Sequence, residues 1–114
     1  MIRLPWPPSL NRAWRNVGNR TLLSREARSY RRQAVLELMA QNAPKLGGRR
    51  CKVEITLHAP DKRRMDIANR EKQIGDALQC YGVFDDDSQI DDLRILRGSV
   101  NKTDPHVLVR VEVI

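Results

Sequence analysis

The sequence lacks the features that would hold a protein in a membrane or tie it together with disulfides. It has only two cysteines, Cys51 and Cys80, far apart, and no run of about 18 apolar residues that could span a bilayer. Each cysteine stands in an apolar pattern, so we expect buried, reduced thiols. No basic region followed by an apolar stretch opens the chain, so we expect no secretory signal and a cytoplasmic protein.

Zinc ligands and aromatic side chains are also scarce. His58 and His106 stand alone on predicted strands, whereas a zinc site needs more Cys or His at close spacing. Two Trp, two Tyr and one Phe are few for single-stranded RNA recognition, which relies on stacking. We therefore disfavour a zinc protein and a structural RNA-binding protein, and assign Trp6 and Trp14 by default to core or dimer contacts.

Negative charge is in the minority. The 114 residues include 21 Lys and Arg against 14 Asp and Glu, which gives a net charge of +7. Such a balance favours a polyanionic partner, most often nucleic acid, although ribosomal and membrane-surface proteins are also basic. A chain of this length is expected to bury one hydrophobic core, so we predict a single domain over residues 1–114.

Hydrophobic periodicity predicts two main helices and about four strands. Residues 2–5 suit a short strand, and the prolines after it predict an extended arm or loop to about residue 23. One helix is predicted from an N-cap at Ser24, and a second ends at Gly82. Further strands are predicted at 51–59, at about 93–97 and at 106–113. The order predicts an α+β (mixed α/β) fold, with both helices on the apolar face of one mixed sheet of unreadable strand order.

Carboxylates are concentrated in one short stretch, although the chain as a whole is basic. Five of the 14 acidic residues lie between Asp85 and Asp92, where they repel one another and DNA phosphates unless a cation neutralises them. The short side chains of Asp85, Asp86 and Asp87 suit a hard, oxygen-seeking ion such as Mg²⁺. The alternative is a solvated acidic turn.

A second charged stretch leads into the predicted second helix. Asp66 precedes this helix, which carries Asn69 and Lys72. The basic residues just upstream are Lys62, Arg63 and Arg64. A metal held between Asp66 and the Asp86–Asp87 turn would lie beside a phosphate-binding surface, where Lys72 could stabilise the transition state or orient the attacking water. The alternative for Lys72 is an ordinary exposed lysine.

Three blocks of sequence occur in an order and with a spacing typical of one known family. They are LPWPPSLN at 4–11 with Trp14, DKRRMDIANREK at 61–72, and DAL at 76–78 followed by GVFDDDSQIDD at 82–92. Together they resemble the RusA family of Holliday junction resolvases. The resemblance implies a RusA-like fold and a magnesium-dependent endonuclease, with Mn²⁺ as a substitute. It also implies a homodimer that cleaves four-way junction DNA in recombination and repair, encoded by a bacterium or a prophage.

The resemblance also implies roles for individual residues. Asp66 corresponds to the first metal-binding Asp, Asp87 to the acidic residue of the downstream turn and Lys72 to the catalytic lysine, with Asp86 a weaker candidate ligand. The residues expected to contact DNA are Lys62, Arg63, Arg64, Asn69, Arg12 and Arg15.

One position departs from the family pattern. The pattern reads Asp-x-Asp-Asn, whereas this chain has Ala68 where the second Asp is expected. Alanine offers no oxygen to a cation, so we expect weaker magnesium binding and much slower cleavage, with the fold and the phosphate contacts kept. The main alternative from another class is a non-catalytic basic nucleic-acid-binding protein, which would be indifferent to magnesium.

Overall fold

The computed structural model describes the backbone of residues 1–8, 14–17, 20–23 and 25–114, and the side chains of residues 1–8 and 25–114. The elements are β1 (Ile2–Pro5), β2 (Trp14–Val17), β3 (Arg20–Leu23), α1 (Arg25–Ala40), β4 (Cys51–His58), α2 (Ala68–Tyr81), a 3₁₀ turn (Asp87–Gln89), β5 (Ile90–Arg97) and β6 (His106–Val113). The two predicted helices and the strands of the α+β fold are therefore confirmed.

Four strands form one mixed sheet in the order β1-β6-β4-β5. Strand β6 pairs antiparallel with both β1 and β4, whereas β4 and β5 are parallel. Parallel neighbours need a long crossover connection, and α2 lies within the segment that joins these two strands. The predicted four-stranded mixed sheet is confirmed, and β1 and β5 are its two edges.

The prediction of an extended arm or loop up to about residue 23 was wrong. Strands β2 and β3 pair antiparallel, with Trp14 opposite Leu23 and Val17 opposite Arg20. The missed signal is Gly18–Asn19, because two turn-forming residues between short extended runs are typical of a β-hairpin.

The core lies between the sheet and the helices. Alternate residues of β4 are buried while their neighbours are only partly covered, as the period of two predicts. The apolar stripe predicted on α1 is also buried. The described buried hydrophobic residues form one cluster that includes Tyr30, Leu38, Val53, Ile55, Leu57, Ile74, Leu78, Phe84, Val107 and Val109. Burial of this surface is the main force that holds α1 and α2 against the sheet.

Helix α2 ends where the sequence predicts. Gly82 has a φ of 105°, a left-handed conformation that glycine adopts without steric cost, and its N–H donates to the Leu78 carbonyl at 3.0 Å. Val83 and Phe84 follow directly and are fully buried. The start of α1 at Arg25 agrees with the prediction, but the proposed N-cap, Ser24, lies outside the described residues.

Two expectations about isolated side chains were wrong. His58 and His106 lie opposite each other on β4 and β6, and their rings stack with centroids 4.7 Å apart. Cys51 is buried as predicted, but Cys80 is exposed, because it lies two residues beyond Leu78, the last buried residue of α2, and so points to another side of the helix. No helix in the described part of the chain is long and apolar enough to cross a membrane.

Candidate active site and DNA-binding surface

The acidic turn Asp85–Asp87 is held in place by buried residues on both sides. Phe84 anchors its start in the core, and Gln89, only 8% exposed, anchors its end. The Gln89 side-chain oxygen accepts hydrogen bonds from the backbone N–H groups of Asp85 and Asp86 at 3.0 and 2.9 Å. Its amide nitrogen donates to the carbonyls of Gly47 and Arg49 at 2.8 and 2.7 Å.

Gln89 therefore uses both ends of its amide and connects the acidic turn to the loop before β4. The Asp86 side chain accepts from the backbone of Gln89, which completes a reciprocal capping box around the 3₁₀ turn. A hydrogen bond from the Ser88 hydroxyl to the Asp86 carboxylate is the main reason that the pKa of Asp86 is lowered. The turn is thus preorganised with its carboxylates exposed.

Lys72 lies beside this turn. A cavity of about 450 Å³ is lined by Arg31, Lys72, Asp76, Gln79, Cys80, Asp85, Asp86 and Asp87. The Lys72 ammonium forms an ion pair with Asp76 one helical turn later, at 3.1 Å, and Asp76 also faces Arg31 at 3.5 Å. The structure therefore brings together Lys72, Asp86 and Asp87, three of the predicted site residues.

The pKa values of Lys72 and Glu71 beside this cavity are both raised. The hydrogen bond to Asp76 is the main reason that the pKa of Lys72 is raised, with the nearby Asp87 and Glu71 adding to the effect. Burial raises the pKa of Glu71, and Asp76 and Asp87 raise it further. The carboxylates around Lys72 therefore favour its charged form.

Position 68 lies on the same face of α2 as Lys72. Residues four apart on a helix lie above one another, so Ala68, Lys72 and Asp76 form one row. Ala68 is exposed at the first turn of α2, about 6 Å along the helix axis from Lys72 at about 1.5 Å per residue. A carboxylate at position 68 would extend the charged row that borders the acidic cavity.

Asp66 lies on a different cavity, which has a volume of about 420 Å³. The residues that line this second cavity include Trp6, Asp61, Arg63, Arg64, Asp66, Asn69 and Arg70. The Asp66 carboxylate accepts a hydrogen bond from the Ala68 N–H at 3.0 Å, a local turn that holds the carboxylate against the start of α2. Three of the residues predicted to contact DNA, Arg63, Arg64 and Asn69, therefore surround Asp66.

The remaining basic residues are more dispersed. Lys62 borders a separate depression with Lys102, and Arg63 pairs with Asp61 at 3.1 Å while staying exposed. Arg12 lies outside the described residues, and the side chain of Arg15 is likewise outside the part that the structure describes. Their predicted DNA contacts stay predictions.

The sequence of the chain is also similar to that of known proteins. The family model described as "Endodeoxyribonuclease RusA" matches residues 5–112. The chain belongs to the RusA family. It is 38% identical over 102 residues to the crossover junction endodeoxyribonucleases RusA of Escherichia coli K12 and of Enterobacteria phage 82, covering 89% of this chain and 84% of each relative. The phage HK97 protein of the same name is 34% identical over 102 residues, covering 83% of this chain and 79% of that relative.

The metal site predicted from the RusA pattern is incomplete in this chain. Asp66 and Asp87 line different cavities, and among residues 1–8 and 25–114 no group of three His, Cys, Asp or Glu side chains is arranged to hold a metal ion. The carboxylate oxygens of the acidic turn suit Mg²⁺ in kind, but the donors are too few. The residues present therefore do not fit a complete magnesium site.

Sequence reasoning missed three residues that support the two cavities. Gln89 was detectable, because Asp86-x-x-Gln89 is a capping-box spacing. Asp76 stands only within the DAL block of the sequence, and its pairing with both Lys72 and Arg31 depends on how α1 packs against α2. Arg70 had no signal: its guanidinium lies over the Trp6 ring, 5.2 Å from the centroid, and donates to the Pro7 carbonyl.

Proposed function

We propose that this chain is a Holliday junction resolvase in recombination and repair: a homodimer that binds four-way DNA junctions and nicks two opposed strands symmetrically. The observation that carries the proposal is the position of Lys72 beside the Asp85–Asp87 turn, across one cavity, in a chain that matches the RusA family over residues 5–112. Cleavage of a phosphodiester needs a cation beside the reacting phosphate, and Lys72 supplies one.

DNA binding in this proposal uses the start of α2. Arg63, Arg64 and Asn69 lie around the second cavity, directly before the row that leads to Lys72. Arginine side chains bind phosphate through several donors, so this surface would hold the backbone of one strand while the acidic cavity receives the scissile phosphate. Two copies related by a two-fold axis would then address two strands of the junction.

Magnesium is part of the proposal, with Mn²⁺ as a substitute. In the present chain Asp66, Asp86 and Asp87 do not complete a magnesium site. With a carboxylate at position 68, the ion would be held by Asp66, Asp87 and that carboxylate, with Asp86 as the weaker candidate, and its chemistry would be to polarise the phosphate and activate a water. Because the present chain has Ala68, we propose that it binds junctions but cleaves them at least about a hundredfold more slowly than its Ala68→Asp variant.

A second candidate is a RusA-family protein that only binds nucleic acid. The absence of an oxygen ligand at position 68 favours this candidate, since the basic surface around Arg63 and Arg64 does not depend on a metal. Both candidates act on DNA and would work in the bacterial cytoplasm, where phage and chromosomal junctions form.

The experiment is a cleavage assay on a synthetic four-way junction. The present chain, Ala68→Asp and the uncharged matched control Ala68→Asn are each incubated in magnesium and in chelator. We expect symmetric nicks from Ala68→Asp in magnesium only, and little cleavage from the other two proteins. If Ala68→Asp binds the junction tightly yet never nicks it, the resolvase proposal is wrong, and the result supports the second candidate, a protein that only binds nucleic acid.

A further inference from the structure

One face of helix α1 is basic in its first half and apolar in its second half. Residues three and four apart on a helix lie next to one another, so the six side chains of this face form one continuous surface. They are Arg28, Arg31, Arg32, Val35, Leu36 and Met39. Leu36 and Met39 are 59% and 61% exposed, and exposed apolar side chains that are grouped, rather than scattered singly, mark binding surfaces.

Part of this surface is concave. A groove of about 340 Å³, which we call the α1 groove, is lined by Arg28, Arg31, Arg32, Val35, Leu36 and Cys80. Arg31 already faces Asp76 at 3.5 Å. Arg28 and Arg32, in contrast, form no ion pair with the described residues, so their charges are available to a ligand. Arg31 and Cys80 also line the acidic cavity, so the α1 groove adjoins the candidate active site.

The side chains of the α1 groove select a class of ligand. Arginines attract an anion, and exposed valine and leucine side chains gain from apolar contact. A DNA backbone offers phosphates but little apolar surface, and none of the described residues that line the groove is aromatic, so a base has no ring to stack on. The same face of a second copy is apolar but offers no carboxylate to the arginines. Neither occupant complements both halves of the surface.

We propose that the α1 groove binds a short segment of a partner protein in which a run of carboxylates adjoins a run of apolar side chains. The carboxylates pair with Arg28 and Arg32, and the apolar side chains cover Leu36 and Met39. From position 28 to position 39 the helix rises about 17 Å at about 1.5 Å per residue, which is the length of about five extended residues at about 3.3 Å each. This inference adds a protein partner and does not depend on DNA cleavage.

The first test uses the unaltered chain and its exposed cysteine. The probe is a synthetic hexapeptide of three aspartates followed by three leucines, with both termini blocked, and the control peptide has asparagines in place of the aspartates. Because Cys51 is buried, alkylation by a thiol reagent reports on Cys80 in the groove. A saturating concentration of the acidic peptide should slow this alkylation at least about fivefold, and the control peptide should not. Equal effects of the two peptides, or no effect of either, overturn the proposal.

Calorimetric titration of the same acidic peptide into variants tests each half of the surface. Arg32→Gln and Leu36→Gln should each weaken its binding at least about fivefold. The matched controls Arg110→Gln and Leu96→Gln remove the same groups from the face of the sheet opposite the core, and should change the affinity less than about twofold. Unchanged affinity in Leu36→Gln would mean that the peptide is held by charge alone, which overturns the proposal.

Two further measurements on these variants test the other occupants. Affinity for a four-way junction should fall no more in Arg32→Gln than in Arg110→Gln, which loses the same charge; a larger fall would assign the arginines to DNA and overturn the proposal. Sedimentation equilibrium should give Leu36→Gln the same association state as the unaltered chain; dissociation caused by Leu36→Gln would show that this face joins two copies, which also overturns it. Failure of the junction-cleavage experiment alone would contradict only the proposed function, since the peptide binds without DNA.

Discussion

Replacing Gln89 with alanine tests how the acidic turn is held. The substitution removes four hydrogen bonds, to Asp85, Asp86, Gly47 and Arg49, from a side chain that is almost fully buried. Each such bond contributes about 0.5–1.5 kcal/mol net. Because the Asp85 N–H and the Gly47 carbonyl also bond to each other at 3.3 Å, part of the network survives. We therefore expect a loss of about 2–3 kcal/mol in the free energy of unfolding.

Urea denaturation followed by circular dichroism measures this loss. With a slope of about 1–3 kcal/mol per molar urea, the midpoint should fall by roughly 1–2 M. Gln33→Ala is the matched control, because Gln33 is exposed on α1 and its side chain makes no hydrogen bond to the described residues. The control should change stability by less than about 0.5 kcal/mol. A loss below about 1 kcal/mol for Gln89→Ala would refute the reasoning that this amide holds the turn.

Two further predictions concern α2. Asp76→Asn removes the main cause of the raised Lys72 pKa, so this pKa should fall, as measured by NMR of the lysine side chain; an unchanged value would show that the ion pair is not formed in solution. A lysine whose pKa is raised in the folded protein stabilises the fold at pH values below its unfolded pKa of 10.5, and this contribution is lost as the pH rises through its folded pKa. Asp76→Asn should therefore also flatten the fall in the free energy of unfolding above about pH 10.5. Gly82→Ala places a side chain at a φ of 105° and should lower the free energy of unfolding by about 1 kcal/mol or more. The control Gly48→Ala should lower it less, because Gly48 has an ordinary φ and its new Cβ would lie no nearer than 4.0 Å to other atoms. Equal losses of stability in thermal melts would contradict the role of Gly82.

Local patterns predicted most of the fold. The period of two in β4 and the three- and four-residue spacing in α1 and α2 each bury one face. In α2 the buried face also includes the polar Gln73, which hydrophobic spacing did not indicate. The order of the strands in the sheet could not be predicted from the sequence, because which strands pair depends on how the whole chain packs. The β2–β3 hairpin was missed because runs of four residues carry little periodicity, so only the turn residues could reveal it.

The sequence indicates candidate residues for the site but not how they are arranged in space. Lys72 and Asp87 are 15 positions apart in sequence, and the resemblance to one family was enough to connect them. Asp66 and Asp87, in contrast, were expected to share a metal but line separate cavities, because Asp66 turns its carboxylate to the start of α2. The capping-box spacing points to Gln89, but its hydrogen bonds to Gly47 and Arg49 could not be predicted, because these partners lie about 40 residues away in sequence.

Recognition of branched DNA is the central claim, and the affinity of the unaltered chain for a four-way junction tests it most directly. The dissociation constant is measured in chelator at about 0.1 M salt, against a linear duplex of the same sequence, so that metal binding and overall charge play no part in the difference. We predict at least tenfold tighter binding to the junction, equivalent to about 1.4 kcal/mol. Equal affinity for junction and duplex would contradict the account and leave only a general nucleic-acid-binding protein.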